Sequence, residues 1–206
     1  MPNSVITIAR QFGSGGRDVA KKVSELMNIP FYDKDLIALA AKESGLSEEL
    51  FEGIDEKPTN SLLYSLVMGL QTKDSPYFRY GDMFNSDSIF RIQSKVIRNI
   101  ADKGPCVLVG RCSDYILREY DNTINVFIHA DEDQRVHRIM EKYGLKEMTA
   151  LDVITKNDKR RSSFYNFYTN KAWSNAENYH LSIDTTKIGA EKAAELIVRY
   201  AEMHES

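Results

Sequence analysis

The stretch that decides the fold is Ser4-Val-Ile-Thr-Ile-Ala-Arg10, followed at once by Gln11-Phe-Gly-Ser-Gly-Gly16. The first half is β-branched and apolar, which suits a buried strand. The second half spends three of the chain's 11 glycines within residues 13 to 16. Beyond it Val19, Ala20, Val23, Leu26 and Met27 fall on one helical face, and Asn28 stops the pattern. Strand, glycine turn and helix in that order make an anion-binding unit. The free N–H groups and positive dipole end of the helix favour phosphate, and glycine lets the backbone approach its oxygens. Gly13, Ser14, Gly15, Gly16, Arg17 and Asp18 are therefore the candidate phosphate-binding residues. A tight turn with no ligand is the competing reading. Arg17 weighs against it, because a cation at a helix N-terminus is unfavourable without a nearby anion.

The phosphate-loop pattern GxxxxGK[ST] is not met. Ending it at Gly15 places Arg10 at the first glycine, Gly16 at the lysine and Arg17 at the hydroxyl residue.

Further along, Ile29-Pro-Phe-Tyr32 reads as a short strand, and Asp33 as the cap of a helix over 34–43 that buries Leu36, Ile37, Ala40 and Ala41. Ser47 to Phe51 reads as a short helix. A longer helix is expected over 82–103, stopped by Gly104-Pro105, then a strand at Cys106 to Val109 and a short helix over 114–119. Another strand over 123–128 follows, then helix 132–143, a polar, basic and aromatic segment over 149–173, strand 180–184 and helix 190–203. Alternating strands and helices predict an α/β fold with a mainly parallel sheet covered on both faces. No repeat, linker or composition break divides the 206 residues, so one domain is expected.

Composition narrows the function classes. Against 27 Lys+Arg stand 30 Asp+Glu, a net charge of −3, so no global basic field draws the chain to nucleic acid or anionic lipid. No apolar run reaches the roughly 18 residues of a membrane span, and the N-terminus lacks the pattern of a signal peptide. Two cysteines are too few for a disulfide framework, which points to a reducing, cytoplasmic setting. Four scattered histidines give no metal spacing, so no protein-held metal is expected.

Gly110-Arg111 follows an apolar strand, and ligands of parallel sheets sit at the carboxyl ends of strands, so Arg111 is expected to point into the cleft. A pairing of Arg111 with Asp114 is the alternative. Lys156, Lys159, Arg160 and Arg161 fall in a lid-like stretch, where an Asp158–Arg161 pair would be the plain reading. Arg135 and Arg138, near Glu132, read as an ordinary charged helix face.

Val5 to Arg17, Pro30-Phe-Tyr-Asp-Lys-Asp35, Val107-Leu-Val-Gly-Arg111 and Tyr165-Asn-Phe-Tyr168 resemble, in order and over nearly the whole chain, the cytidylate kinase-like family of P-loop proteins. The resemblance implies a three-layer nucleoside monophosphate kinase-like fold with a sheet of about five parallel strands. It further implies one domain over 1–206, with a monophosphate-binding region over about 33–103 and a small helical lid over about 147–175. The implied reaction moves the γ-phosphoryl group of ATP to CMP or dCMP with Mg²⁺, held mainly through phosphates and water. Carried over by position, Gly13 to Asp18 match the phosphate loop and helix start. Asp33, Arg91 and Arg111 match the acceptor site, and Asp158 and Arg160 the lid cluster. Departures are Gly16 and Arg17 in the loop, Leu39 for an arginine, Cys112 for an aspartate and Phe164 for a late lid arginine.

In this reading Arg17 stands in for the loop lysine, and Arg111, Arg160 and Arg161 act on the transferred group. The expected partners are a nucleoside triphosphate and a monophosphate, with no membrane and no nucleic acid. The apolar residues Leu62, Leu63, Tyr64, Leu66 and Val67 would form either a homodimer surface or a core helix. Two other functions fit parts of the sequence. A catalytically silent nucleotide-binding module is suggested by the missing lysine and hydroxyl. An RNA binder is suggested by the cations interleaved with Phe164, Tyr165, Phe167, Tyr168 and Trp173.

Overall fold

A computed structural model describes residues 3–33 and 86–204, together with Leu39 and Lys42. The expected helix over 34–43, the short helix at 47–51, the apolar segment within 58–80 and the first residues of the helix expected from Asp82 lie outside the described residues.

Five strands form one parallel sheet in the order β2-β3-β1-β4-β5. They are β1 (Val5–Arg10), β2 (Phe31–Tyr32), β3 (Cys106–Val109), β4 (Thr123–His129) and β5 (Leu181–Asp184). Helix α1 (Gly16–Met27) follows β1, α2 (Ser86–Ala101) precedes β3, and α3 (Ser113–Ile116) follows it. Helices α4 (Glu132–Tyr143) and α5 (Glu147–Thr169) join β4 to β5, and α6 (Thr185–His204), interrupted at Gly189, closes the chain. The expected boundaries agree to within a few residues, and the α/β, five-stranded parallel prediction is what the chain forms.

The period-2 pattern of β1 sorts the layers. Ile6 and Ile8 face α1 and α6, packing with Val19, Val23, Ile197 and Ala201. Val5 faces the opposite way, with Val96, Ile97 and Leu108 between the sheet and α2. Ala9, nearer the strand's end, meets Phe127, Phe164 and Trp173 under α5. Each fully buried Ile or Val side chain contributes about 1.5–3 kcal/mol, and β1 alone places Val5, Ile6 and Ile8 at 0% exposure.

Helix α5 carries no single apolar stripe because its two ends bury different faces. Ala150 and Ile154 pack on α4, whereas Phe164 and Tyr165 pack on the sheet. That geometry stretches the helix, roughly 35 Å long at 1.5 Å per residue, across the carboxyl ends of the strands.

Because β1 has β3 on one side and β4 on the other, the chain reverses its direction of growth at β1. A crevice opens at such a switch point, outside the strands' carboxyl ends. The residues that follow β1, β2 and β3 (the glycine loop, Asp33 and Gly110-Arg111) all lie at that edge.

Candidate functional site

The glycine loop is built largely from its own hydrogen bonds. The Gln11 N–H donates to Ile128 O at 2.9 Å, and Ser14 Oγ donates to Gln11 O at 2.9 Å and accepts the Gly16 N–H at 3.3 Å. Thr185 Oγ1 donates to Ser14 O at 2.6 Å, tying the loop to the start of α6. Gly13 and Gly15 sit at φ +80° and +79°, in the left-handed region that side chains disfavour, and Gly15 precedes the first turn of α1. The turn leaves the first N–H groups of α1 without i−4 partners at the crevice.

Three side chains from α4 and α5 hold this loop from outside. Arg138 donates to Gly13 O at 2.7 Å, and Arg135 donates to Phe12 O at 3.3 Å while pairing with Asp158. Asp158 in turn accepts the Phe12 N–H at 2.7 Å. Arg135 and Arg138 are therefore not the plain charged face that their sequence suggested; Arg135 is only 8% exposed. Helical spacing brings them to one face, and only the path of the loop beneath α4 makes that face an inner one. Asp158 likewise takes Arg135 and the Phe12 amide as partners. Arg161 donates to Arg10 O at 3.1 Å and lies 5.4 Å from the Phe12 ring centroid.

Across the crevice, Arg17 Nε lies 2.6 Å from Asp33 Oδ2, and Arg10 Nη2 lies 3.9 Å from Asp33 Oδ1. Asp33 is buried, whereas the Arg17 side chain is 59% exposed. Gly110, Arg111 and Cys112 all have positive φ (72°, 61° and 54°). For the two non-glycine residues this costs about 1–2 kcal/mol each, and such strain concentrates at working sites. The turn is held by Ser113, whose N–H and Oγ both donate to Gly110 O.

The turn buries Arg111. Burial first, and Arg10 second, push its pKa down to about 9, with Asp33 opposing and Arg161 and Arg160 adding to the fall. It stays charged at neutral pH. Its expected alternative partner, Asp114, instead accepts the Tyr165 hydroxyl at 2.7 Å, and burial raises the Asp114 carboxyl.

The structure thus gathers Gly13 to Arg17, Asp33, Arg111, Asp158 and Arg161 at one edge of the sheet. Arg160 is exposed on α5 and donates to Asn157 Oδ1 at 3.2 Å. Asp18 is exposed in the first turn of α1. Arg91 is exposed on α2.

Of the aromatics over 164–173, Phe164, Tyr165 and Trp173 are buried, and Phe90 stacks on Tyr168 at 4.0 Å between centroids. These anchor α5 to the core, whereas Phe167 is 55% exposed. Both cysteines are buried free thiols, and burial pushes Cys106 up to about 12. Arg10, Arg135 and Arg138 were missed from sequence. The misplaced residue at position 10 of the loop pattern was the one signal available.

No helix among the described residues is long and apolar enough to cross a membrane. The family model of the cytidylate kinase-like family matches residues 5–187. Among curated proteins, no match was found. Among solved structures, an uncharacterized protein from Eubacterium ventriosum ATCC 27560 is 31% identical, with 97% of this chain and 98% of that one covered and a TM-score of 0.70. A shikimate kinase from Bacteroides thetaiotaomicron is 12% identical, covering 97% and 98%, with a TM-score of 0.54. A gluconokinase from Sinorhizobium meliloti 1021 is 15% identical, covering 97% and 94%, with a TM-score of 0.53. These two kinases share the fold. With its five-stranded parallel sheet, glycine loop and arginine-lined crevice, the chain belongs to the cytidylate kinase-like family.

Proposed function

We propose that this protein is a phosphotransferase that moves the γ-phosphoryl group of ATP to a nucleoside monophosphate, with CMP or dCMP as the acceptor the family resemblance favours. One observation carries the reading: a buried, charged Arg111 on a strained turn lies in the same crevice as the glycine loop and Asp33. A guanidinium offers a phosphate two parallel N–H donors, and in a buried turn water screens its charge little.

Phosphoryl transfer asks the protein for in-line positioning and for cations over the moving oxygens. An acceptor phosphate oxygen forms a bond to the γ-phosphorus as the bond to the β–γ bridging oxygen breaks, and ADP leaves with that electron pair. In this reading the Gly13–Arg17 backbone cradles the donor and Arg111 holds the acceptor phosphate. Arg91 reaches the acceptor from the 33–103 region, and Asp33 orients it. Arg160 and Arg161, from the lid over 147–175, cover the transferring group. Ser14 Oγ is spent inside the loop. Mg²⁺ would therefore ride on phosphate oxygens and water, where it supplies charge neutralisation.

A second reading, a nucleotide binder without turnover, is favoured by the Arg17–Asp33 pair, which holds the loop's exposed cation away from a donor phosphate. Coupled assays with ATP, Mg²⁺ and each nucleoside monophosphate, run beside calorimetry, separate the two. ADP formation that depends on one monophosphate supports the kinase. Tight ATP binding with no ADP formed supports the silent binder.

A further inference from the structure

The loop pattern demands a small residue at position 10 and a lysine at position 16, and this chain has Arg10 and Gly16. The two departures are one exchange in space. A Cβ added at Gly16 would lie 2.5 Å from Arg10 Cβ and 3.0 Å from its Cγ. No side chain, lysine included, can start at position 16 while the stem of Arg10 stands there.

The stem leads the Arg10 guanidinium to the second glycine turn. A Cβ at Gly110 would lie 2.2 Å from Arg10 Nη1 and 3.2 Å from Cζ. Glycine is thus required where the stem of this arginine starts, and at the other end its guanidinium fills the space over Gly110, whose φ of +72° itself favours glycine. The side chain is 12% exposed, with Asp33 at 3.9 Å on one side, and its carbonyl is held by Arg161. Beside it stands the buried Arg111, and Asp33, whose charge acts on both, is also engaged by Arg17 at 2.6 Å.

We infer that Arg10, and not Arg17, carries the charge of the missing lysine, and that its guanidinium seats a phosphate of the donor triphosphate between the glycine loop and the Gly110 turn. The inference rests on the nucleotide-binding reading above and names the donor-binding cation within it. A guanidinium offers two parallel N–H donors to a phosphate, where lysine offers a point charge. An arginine rooted in β1 can do this from a rigid strand, whereas Arg17 projects from an exposed helix start.

The test uses the full chain and two probes, ATP and inorganic tripolyphosphate, with binding read by calorimetry and folding checked by thermal unfolding. Arg10→Met keeps the stem and removes the charge. It should weaken both probes by about 10- to 100-fold, the usual loss for a hydrogen bond to a charged group, and Arg17→Met should weaken them less. The double variant Arg10→Gly/Gly16→Lys restores the pattern's first glycine and its lysine, with Arg17 still at the hydroxyl position, and should recover at least about tenfold over Arg10→Gly alone. The inference is overturned if Arg10→Met binds within about threefold of the parent, if Arg17→Met loses as much, or if the folded double variant recovers nothing. If the parent itself binds neither probe, the nucleotide reading fails, and this inference with it.

Discussion

A single carboxylate on α5, Asp158, accepts the Phe12 N–H at 2.7 Å through Oδ1 and holds Arg135 through Oδ2, joining that helix to the glycine loop 146 residues earlier. The loop's shape therefore depends on a helix that the sequence places far away.

Replacing that carboxylate should cost stability as well as function. Asp158→Ala leaves Arg135 buried without its anion. Such losses reach about 3–5 kcal/mol for fully buried pairs. With the Asp158 side chain 19% exposed, about 2–3 kcal/mol is expected. Urea unfolding measures it, and Arg135→Met combined with Asp158→Leu should restore part of the loss. A cost below about 0.5 kcal/mol would show the contact to be incidental.

Asp33 pairs with Arg17 and Arg10, and under the proposed function it would compete with a bound phosphate for both. Asp33→Asn should free Arg17 and Arg10 for anions and tighten inorganic phosphate binding several-fold, while phosphoryl transfer falls because the acceptor loses its orienting group. Calorimetry and turnover must move in opposite directions; weaker phosphate binding would contradict the assignment.

Arg160 and Arg161 separate function from architecture. Arg160 is exposed, so Arg160→Ala should change the unfolding temperature by only a degree or two, as most surface substitutions do, yet lower kcat by about 10³-fold or more. Arg161→Ala also removes the bond to Arg10 O and the contact with Phe12. It should lower both stability and turnover. Normal turnover in Arg160→Ala would remove Arg160 from the mechanism.

Burial raises the Asp114 carboxyl above 3.8, its ordinary value, which the unfolded chain retains. The folded state then holds more protons as pH climbs above that value, so this group's contribution to stability is present at low pH and is lost as pH rises through the folded value. Asp114→Asn keeps an acceptor for the Tyr165 hydroxyl and removes the titration. Its stability relative to the parent should improve steadily as pH rises from 3.8, as read from denaturant unfolding at a series of pH values. A difference that stays flat with pH would contradict a raised carboxyl.

Much of the fold was legible because its signals are local. The β-branched run at Val5 to Ala9, the helical spacing from Val19 to Met27 and the apolar Cys106 to Val109 each carry their own periodicity, and each became the element expected. The glycine loop was legible for the same reason. Arg135 was not, since nothing in Glu132 to Tyr143 says which charged residue faces inward; that depends on where Phe12 passes. Asp114 was likewise read as a partner for Arg111 from spacing alone, while the left-handed turn at Gly110 to Cys112 separates them and hands Asp114 to Tyr165.

The sequence by itself determined that this chain is a parallel α/β protein with a phosphate-type loop lacking its lysine, because strand pattern, helix pattern and glycine spacing are short-range properties. Only the tertiary structure decided what fills the gap. Arg10 and Gly16 are six positions apart, and Gly110 is a hundred positions from Arg10. That one arginine starts against Gly16 and ends over Gly110 follows from the packing of β1 beside β3, which puts two turns within a side chain's reach of each other.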